Sequence, residues 1–365
     1  MIGVLTTSYP RSHDDCAGTF VQERVRALLR QGHEVEVLAA GEPSDQVSAQ
    51  PLVTRLGGQG LFYRGGAPEA LEDSALLPRL LAWCEGLAFS SALLAAATRL
   101  GRRWQAVESH WLLPCGLVAC LAVPHLPHRA HLHGADVYLL ARLPWAAAFG
   151  RAFCRRRPHV VFASSSLRHR FSTLVGGLPE AFGAQSEVEP APFDRNLFRR
   201  RSGDERARLR DELGMHERVV LGVGRLVRIK GYDVLLAAVG RMASESRPRI
   251  IILGEGPERA ALGAKAHALG VRLELPGPVP PSLVADYMAA ADLFVHPCRT
   301  LSDGRSEGMP LAVREALASG LPVIASASGG LCELGGASAA VSLVPADDAE
   351  ALAGALSRFL QKGLS

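Results

Sequence analysis

The hydrophobic residues of this 365-residue chain fall into short runs separated by helix-like stretches, and the arrangement occurs twice. Ile2–Thr6 reads as a buried strand, a loop follows to Cys16, a helix runs from about Gly18 to Arg30, and a second strand covers His33–Ala39. Val21, Val25, Leu28 and Leu29 give that helix one apolar stripe and Gly32 stops it, so the opening is a strand–helix–strand unit. Strands at Ala106–Ser109, Arg129–Leu132 and His159–Ala163, each followed by helix-compatible sequence, imply a parallel sheet. Between Ala40 and Ala70 periodicity is lost and Gly, Pro and Ser accumulate, so this segment reads as a long loop excursion.

From Arg218 the pattern begins again. Strands are expected at Arg218–Val223, Arg249–Leu253, Val271–Leu275, Asp292–His296, Pro322–Ala325 and Val341–Val344, with helices starting near Tyr232, Glu258, Ser282, Pro310 and Asp347. Between the two halves, RNLFRRRSGDERARLRDELG is too charged for a sheet and suits a linker with a surface helix. The expected organisation is α/β: a Rossmann-like domain over residues 1–192, a linker over 193–215 and a second Rossmann-like domain over 216–365. Length agrees, since single cores split beyond roughly 250–300 residues. Two such domains facing one another make a central cleft, and ligands of open parallel sheets bind beyond the carboxyl ends of the strands.

Charge narrows the partners. Residues 1–200 hold twenty-one arginines and no lysine against seventeen acids, which accounts for the whole net charge of +4. That excess is too small for a nucleic-acid-binding stripe but suits an anionic membrane surface or an anionic acceptor. Seven scattered cysteines with no C-x-x-C pair argue against a disulfide framework or zinc site and point to a reducing cytoplasm. The opening lacks the basic start and long apolar core of a signal peptide. Leu112–Val123, interrupted by Pro114 and Gly116, is read as the longest apolar stretch of the first half and falls short of the ~20 residues that span a bilayer. Membrane contact is then peripheral, at the inner face of the plasma membrane. The segment for it is Tyr138–Arg157, unless that is a plain amphipathic helix with a solvated basic face.

Candidate chemistry sits at the predicted strand ends. GVGRLVRIKG places Arg225 and Lys230 between a strand and a helix start, where a guanidinium fork and a point charge suit a diphosphate; standing alone, the loop reads equally as a solvated basic turn. Ser306-Glu307-Gly308-Met309-Pro310 leads into a helix carrying Glu315. Gly308 permits close backbone approach, and Pro310 suits the first helical position, leaving nearby amides free for phosphate. Either glutamate alone reads as a cap or surface acid. In the first half, His131-Leu132-His133-Gly134-Ala135-Asp136 follows a strand: His131 reads as core, Asp136 as the cap of the next helix, and His133 as a partner for a sugar hydroxyl. The loop Asp14–Thr19 is expected to bring backbone amides at a helix N-terminus toward the opposite side of the cleft.

Taken together, AGTFVQERVRALLRQGHEVEVL, HGAD, VGRLVRIKGYDVLLAA, ILGEGPER, ADLFVHPC, EGMPLAVREALASGLPVIA and SGGLCEL, in that order, resemble the retaining GT-B glycosyltransferases of group 1 (family 4), typified by bacterial mannosyl- and polysaccharide glucosyltransferases. The resemblance implies transfer of a hexose from a UDP- or GDP-linked sugar to a glycan or lipid-linked acceptor, in cell-surface polysaccharide or lipid-linked glycan synthesis. It implies that Arg225 and Lys230 neutralise the donor diphosphate, with amides of Gly308, Met309, Pro310–Leu311 and Gly18 adjoining the phosphates. Glu307 would hold the donor sugar, His133 would contact it from the acceptor side, Glu315 would bind the ribose, and Val279 would mark the nucleobase region. It implies no cofactor and no metal, in keeping with the lack of a D-x-D pair, because cations and amides stabilise the departing diphosphate.

The chain departs from the family pattern in two places. The segment that usually crosses back from the second domain to the first is expected to be missing after LSRFLQKGLS, and Ala17-Gly18 stands where paired glycines are common. Two other readings stay open: a sugar-nucleotide epimerase of the same fold, and a non-catalytic nucleotide-sugar-binding assembly subunit.

Overall fold

The computed structural model describes residues 1–12, 14–42, 51–57, 76–177, 185–302, 304–335 and 340–362. The chain divides into two compact units, Met1–Pro192 and Phe193–Ser365. The first contains β1 (Ile2–Thr6), α1 (Thr19–Arg30), β2 (Val35–Ala39), β3 (Leu52–Arg55), α2 (Leu76–Leu100), β4 (Ala106–His110), α3 (Leu117–Ala122), β5 (His128–Leu132), α4 (Ala135–Ala141), α5 (Ala146–Arg155), β6 (His159–Phe162), α6 (Ser165–Val175) and β7 (Ser186–Val188). Its strands form one parallel sheet in the order β3-β2-β1-β4-β5-β6-β7.

The second unit contains α7 (Gly203–Glu212), β8 (Val219–Val223), α8 (Tyr232–Gly240), β9 (Arg249–Leu253), α9 (Arg259–Leu269), β10 (Leu273–Gly277), α10 (Pro281–Ala290), β11 (Leu293–His296), α11 (Leu311–Ala318), β12 (Val323–Ser326), β13 (Val341–Val344) and α12 (Ala349–Lys362). The sheet order β10-β9-β8-β11-β12-β13 repeats the doubly wound order of the first unit. Both faces of this sheet are covered. Val220, Ile250, Ile252, Leu293 and Val295 pack on Leu235, Val239 and Leu356, while Val219, Leu221, Ile251 and Phe294 pack on Val284, Met288 and Val313. Such strands read as unbroken apolar runs because successive side chains point into different cores. Phe198 and Met215, from the charged stretch after Phe193, are buried in the second of these cores, so that stretch is built into the unit.

In both sheets the chain reverses its winding direction between the first strand and the fourth in sequence order. These switch points, β1/β4 and β8/β11, are where the carboxyl ends of doubly wound sheets leave a crevice.

Several expectations change. The excursion after Ala40 contains β3, which pairs in parallel with β2; residues 43–50 and 58–70 lie outside the described residues. The longest apolar run is not Leu112–Val123: Leu80–Arg103, with a mean hydropathy of 1.6, is long and apolar enough to cross a membrane by length and composition. It is also a packing helix. Ala82, Phe89, Leu93, Ala96 and Ala97 are buried, and Phe89 and Leu93 join a core with Leu5, Leu38 and Trp104. Of the Tyr138–Arg157 segment, Leu140, Ala146, Phe153 and Cys154 are core residues and the arginines face solvent, which favours the plain amphipathic reading.

Candidate active site

At the carboxyl end of β8 the chain turns through Gly224 and Arg225, makes one tight helical turn over Arg228–Lys230, and enters α8 at Gly231. Gly231 has φ 65°, and a Cβ there would run into the carbonyl oxygen of Pro297 just beyond β11. Only glycine lets this loop close on the neighbouring strand end. The result carries Lys230 to the switch point, where its Nζ lies 3.1 Å from Glu307 Oε2. The Glu307 backbone is held in turn by Gly329, where a Cβ would strike the Glu307 carbonyl, and by the Gly330 amide, which donates to that carbonyl at 3.1 Å.

Burial opposes ionisation of Glu307, but Lys230, His296 and Arg225 together hold its carboxyl below the usual range. His296, the last residue of β11, is fully buried with neither ring nitrogen hydrogen-bonded, and burial beside Lys230 drops its pKa to about 3. The Tyr232 hydroxyl is likewise buried and unpartnered, and burial next to Glu307 drives its pKa up. A Cβ on Gly224 would lie 3.1 Å from that hydroxyl and 3.2 Å from Lys230 Cε, so the loop glycine borders both groups. Buried polar atoms without partners are rare, and here they gather around an ion pair at a strand end.

Gly308 and Met309 form a bend that delivers Pro310 and α11. Pro310 is the N-cap rather than the first helical residue, so Leu311 opens the helix and its first-turn amides face outward along the axis. Glu315 lies inside α11, buried, and desolvation lifts its pKa to about 8 against the smaller opposing effect of Arg314. Val279 is half-buried at the margin of the second unit's core, between β10 and α10. Arg225, Lys230 and Glu307 are thus close enough to act on one another electrostatically.

In the first unit, His110 and His131 are register partners on β4 and β5. Their rings stack at 4.5 Å and 7°, and His133 continues the row, 5.3 Å from His110 at 6°. His110 Nδ1 lies 3.1 Å from His133 Nε2, and His131 Nε2 lies 3.2 Å from Glu108 Oε2. Arg24 from α1 grips Glu108 with two hydrogen bonds of 2.9 and 2.6 Å. Burial keeps these imidazoles neutral: His110 and His131 are pushed down and His133 falls to about 3. His110 Nε2 is buried without a partner. Orphaned N–H groups are rarer than orphaned acceptors, so His110 donates from Nδ1 to His133 Nε2, leaving His133 protonated at Nδ1. Asp136 does not cap the next helix; Gly134 does. The Asp136 carboxylate accepts instead from the amides of Leu112 at 2.8 Å and Gly134 at 2.9 Å, which fixes the His133 turn to the end of β4. Gly18, with φ 76°, opens α1 and packs on the Ser8 carbonyl.

Glu108, His110 and His131 place ligand-type atoms within 4.8 Å of one another. Parallel rings point their lone pairs side by side, however, and Arg24 already occupies the carboxylate with its own positive charge, so this donor set is a poor cation site.

The family model described as Glycosyl transferases group 1 matches residues 217–362. D-inositol 3-phosphate glycosyltransferase of Xylanimonas cellulosilytica is 30% identical over 333 residues, covering 86% of this chain and 75% of that protein. This chain belongs to the group 1 glycosyltransferases. A Bacillus subtilis protein assigned to teichuronic acid biosynthesis as the glycosyltransferase TuaC is 29% identical across 97% of this glycosyltransferase and 88% of its own length. In fold, the glycosyltransferase matches sucrose-phosphate synthase of Thermosynechococcus elongatus with a TM-score of 0.76 and 22% identity, over 100% of this chain and 90% of the other. That likeness supports the GT-B architecture. Sequence reasoning about this glycosyltransferase missed His296, Tyr232, His110, Glu108 and Arg24. Their side chains meet only because β8 adjoins β11 and β1 adjoins β4.

Proposed function

We propose that this glycosyltransferase moves a hexose, with retention of configuration, from a UDP- or GDP-linked donor to a glycan or lipid-linked acceptor of a cell-surface polymer. The observation that supports this reading is the Lys230–Glu307 ion pair at the β8/β11 switch point, bordered by the unpartnered His296 and Tyr232. Lys230 and Arg225 supply positive charge for a diphosphate, the first-turn amides beyond Gly308, Met309 and Pro310 supply donors at Leu311, and Glu307 accepts from sugar hydroxyls. Glu315 takes the ribose, the Val279 region the base, His133 a sugar hydroxyl, and the Gly18 loop amides adjoin the phosphates.

In the reaction, the bond between the anomeric carbon and the diphosphate oxygen breaks while a bond to the acceptor oxygen forms on the same face. The acceptor proton passes to the departing phosphate. Charge builds on that phosphate, so fixed cations and amides accomplish what a divalent metal does elsewhere.

A lipid-linked acceptor is supported by a relative named GDP-mannose-dependent alpha-(1-6)-phosphatidylinositol monomannoside mannosyltransferase of Mycobacterium tuberculosis, 33% identical over 62% of this chain and 60% of its own length. We place the enzyme in the cytoplasm with peripheral contact to an anionic membrane, and move the contact from Tyr138–Arg157 to the exposed Leu80, Leu81, Trp83 and Leu87 of α2. Nucleotide release from a panel of UDP-, GDP- and ADP-sugars, measured with acceptor lipid extract, tests the reading. Release for one donor should be unchanged by EDTA and fall about 10²-fold or more in Lys230→Ala and Glu307→Ala. Donor binding without release under every acceptor would instead support a non-catalytic subunit.

A further inference from the structure

The loop that leaves β11 carries a cation that faces away from the donor chemistry. Arg299 follows His296, the last residue of β11, by three positions, and only 12% of its side chain is exposed. All of its guanidinium nitrogens are engaged. Nε donates to Asp347 at 2.6 Å, Nη2 to Asp233 at 3.1 Å and Nη1 to the Arg228 carbonyl at 3.3 Å, while the Arg299 amide donates to the Ile229 carbonyl at 2.9 Å. One residue thereby ties the β11 loop to the tight turn Arg228–Lys230, to the first turn of α8 through Asp233, and to the segment before α12 through Asp347.

The turn needs that outside support. A lone 3₁₀ turn closes its own hydrogen bonds with poor geometry, and here it makes two: Lys230 N–H to the Val227 carbonyl at 2.9 Å and Gly231 N–H to the Arg228 carbonyl at 3.1 Å. Lysine ends in a point charge on a flexible stem, so where the Lys230 ammonium stands depends on how firmly the backbone beneath it is held. Gly231 fixes the turn on one side by packing against the Pro297 carbonyl. Arg299 fixes it on the other, at the two carbonyls that immediately precede Lys230.

Two features separate Arg299 from a ligand-binding arginine and from a plain tie between helices. A phosphate-binding guanidinium presents an open fork, whereas this one is spent on protein acceptors and its charge is met by Asp233 and Asp347. A tie between α8 and α12 would require the two carboxylates alone; the further bonds to the carbonyls of 228 and 229 fall on the turn that carries Lys230.

We propose that Arg299 is a positioning residue for donor binding, which holds the Arg228–Lys230 turn so that the Lys230 ammonium meets the diphosphate; this rests on the reading of Lys230 as a diphosphate cation. Groups that act on a ligand must be held to within about 0.5 Å by the residues behind them. Without Arg299 the turn relaxes, while Glu307 keeps its own anchor in the Gly330 amide.

The test is a double-mutant cycle on the full chain, reading affinity for UDP and for GDP by calorimetry together with melting temperature, in wild type, Arg299→Gln, Lys230→Ala and the double variant. Asp347→Asn is the milder probe, because asparagine accepts the left-handed backbone of φ 57° at that position and only the charge is lost. Affinity for the better-bound nucleotide should fall about tenfold in Arg299→Gln and about threefold in Asp347→Asn. Added to Lys230→Ala, Arg299→Gln should cost less than about twofold more, since no ammonium is left to place. Should Arg299→Gln fail to fold, the same cycle run with Asp347→Asn replaces it. A lowered melting temperature with unchanged affinity in both variants would make Arg299 a structural tie and overturn the proposal, as would losses that add in full in the double variant. Wild-type affinity in Lys230→Ala, or no binding of either nucleotide by the wild type, would instead bring down the donor-site reading and this proposal with it.

Discussion

Three imidazoles in a row, at positions 131, 110 and 133, are all held below the ordinary histidine pKa by burial, so none of them is charged near neutrality. With its pKa lowered to about 3 by burial, His133 in the proposed reaction suits hydrogen-bond donation and not general-base work near pH 7. The His133 ring resonances followed by NMR should therefore stay those of the neutral Nδ1–H form from pH 5 to pH 8. In His110→Ala, with the Nδ1 donor gone, the tautomer signature should become mixed and kcat should fall more than KM rises. An unchanged tautomer in that variant would show that His110 does not orient the ring.

At the scale of elements, the turns carry more of the site than the helices do. Gly231→Ala forces a Cβ toward the Pro297 carbonyl at a positive φ, at a cost of ~1–3 kcal/mol, and withdraws Lys230 from Glu307. Thermal unfolding should shift downward, and donor affinity should fall further than stability alone accounts for. The same scale shows what the sequence could disclose. Strands β1, β8, β9 and β11 are covered on both faces and so announce themselves as apolar runs. Strands β3 and β7 lie at sheet edges, with half-exposed residues and no such run; β3 passed as part of the loop excursion after Ala40, and β7 was not read as a strand. Helix α2 is apolar around most of its circumference and gives no amphipathic period to read. Arg225, Lys230 and Glu307 stood out as candidates because each adjoins a glycine that punctuates the chain, whereas Glu315, between Arg314 and Ala316, was picked out only by its place in the helix after Pro310. His296 and the Arg24–Glu108 pair did not stand out, since their meaning depends on which strand lies beside which.

For the whole molecule, buried titratable groups pull stability in opposite directions. The histidines at 110, 128, 131, 133 and 296 are all held below the ordinary value by burial, two of them to about 3 and His128 to about 4. On acidification the unfolded chain takes up protons that the folded one refuses, so their contribution is present above pH ~6.5 and is lost as pH falls toward those lowered values. Glu315 works the other way. Its pKa, raised to about 8, lets the folded chain keep a proton that the unfolded chain has released, so stability drains from pH ~4.3 up to 8 at about 1.4 kcal/mol per unit. Melting temperature against pH should accordingly peak close to neutrality. Glu315→Gln should flatten the decline above pH ~6.5 and steepen the loss on acidification between ~4.3 and 6.5, where Glu315 opposes the histidines; an unaltered alkaline slope would mean that Glu315 is ionised in the folded enzyme.

The position of β1 and β8 in their sheets has a consequence for the chain as it is being made. Each is the first strand of its sheet and lies between two others, yet one flank is completed only by a much later segment, Ala106–His110 for β1 and Leu293–His296 for β8. During synthesis, one row of backbone donors and acceptors on β1 stays open until that segment leaves the ribosome. Closing such a distant pairing is slow, and an open apolar edge invites other chains. Chaperone supply and translation speed should therefore govern the soluble yield of this enzyme more than its equilibrium stability does.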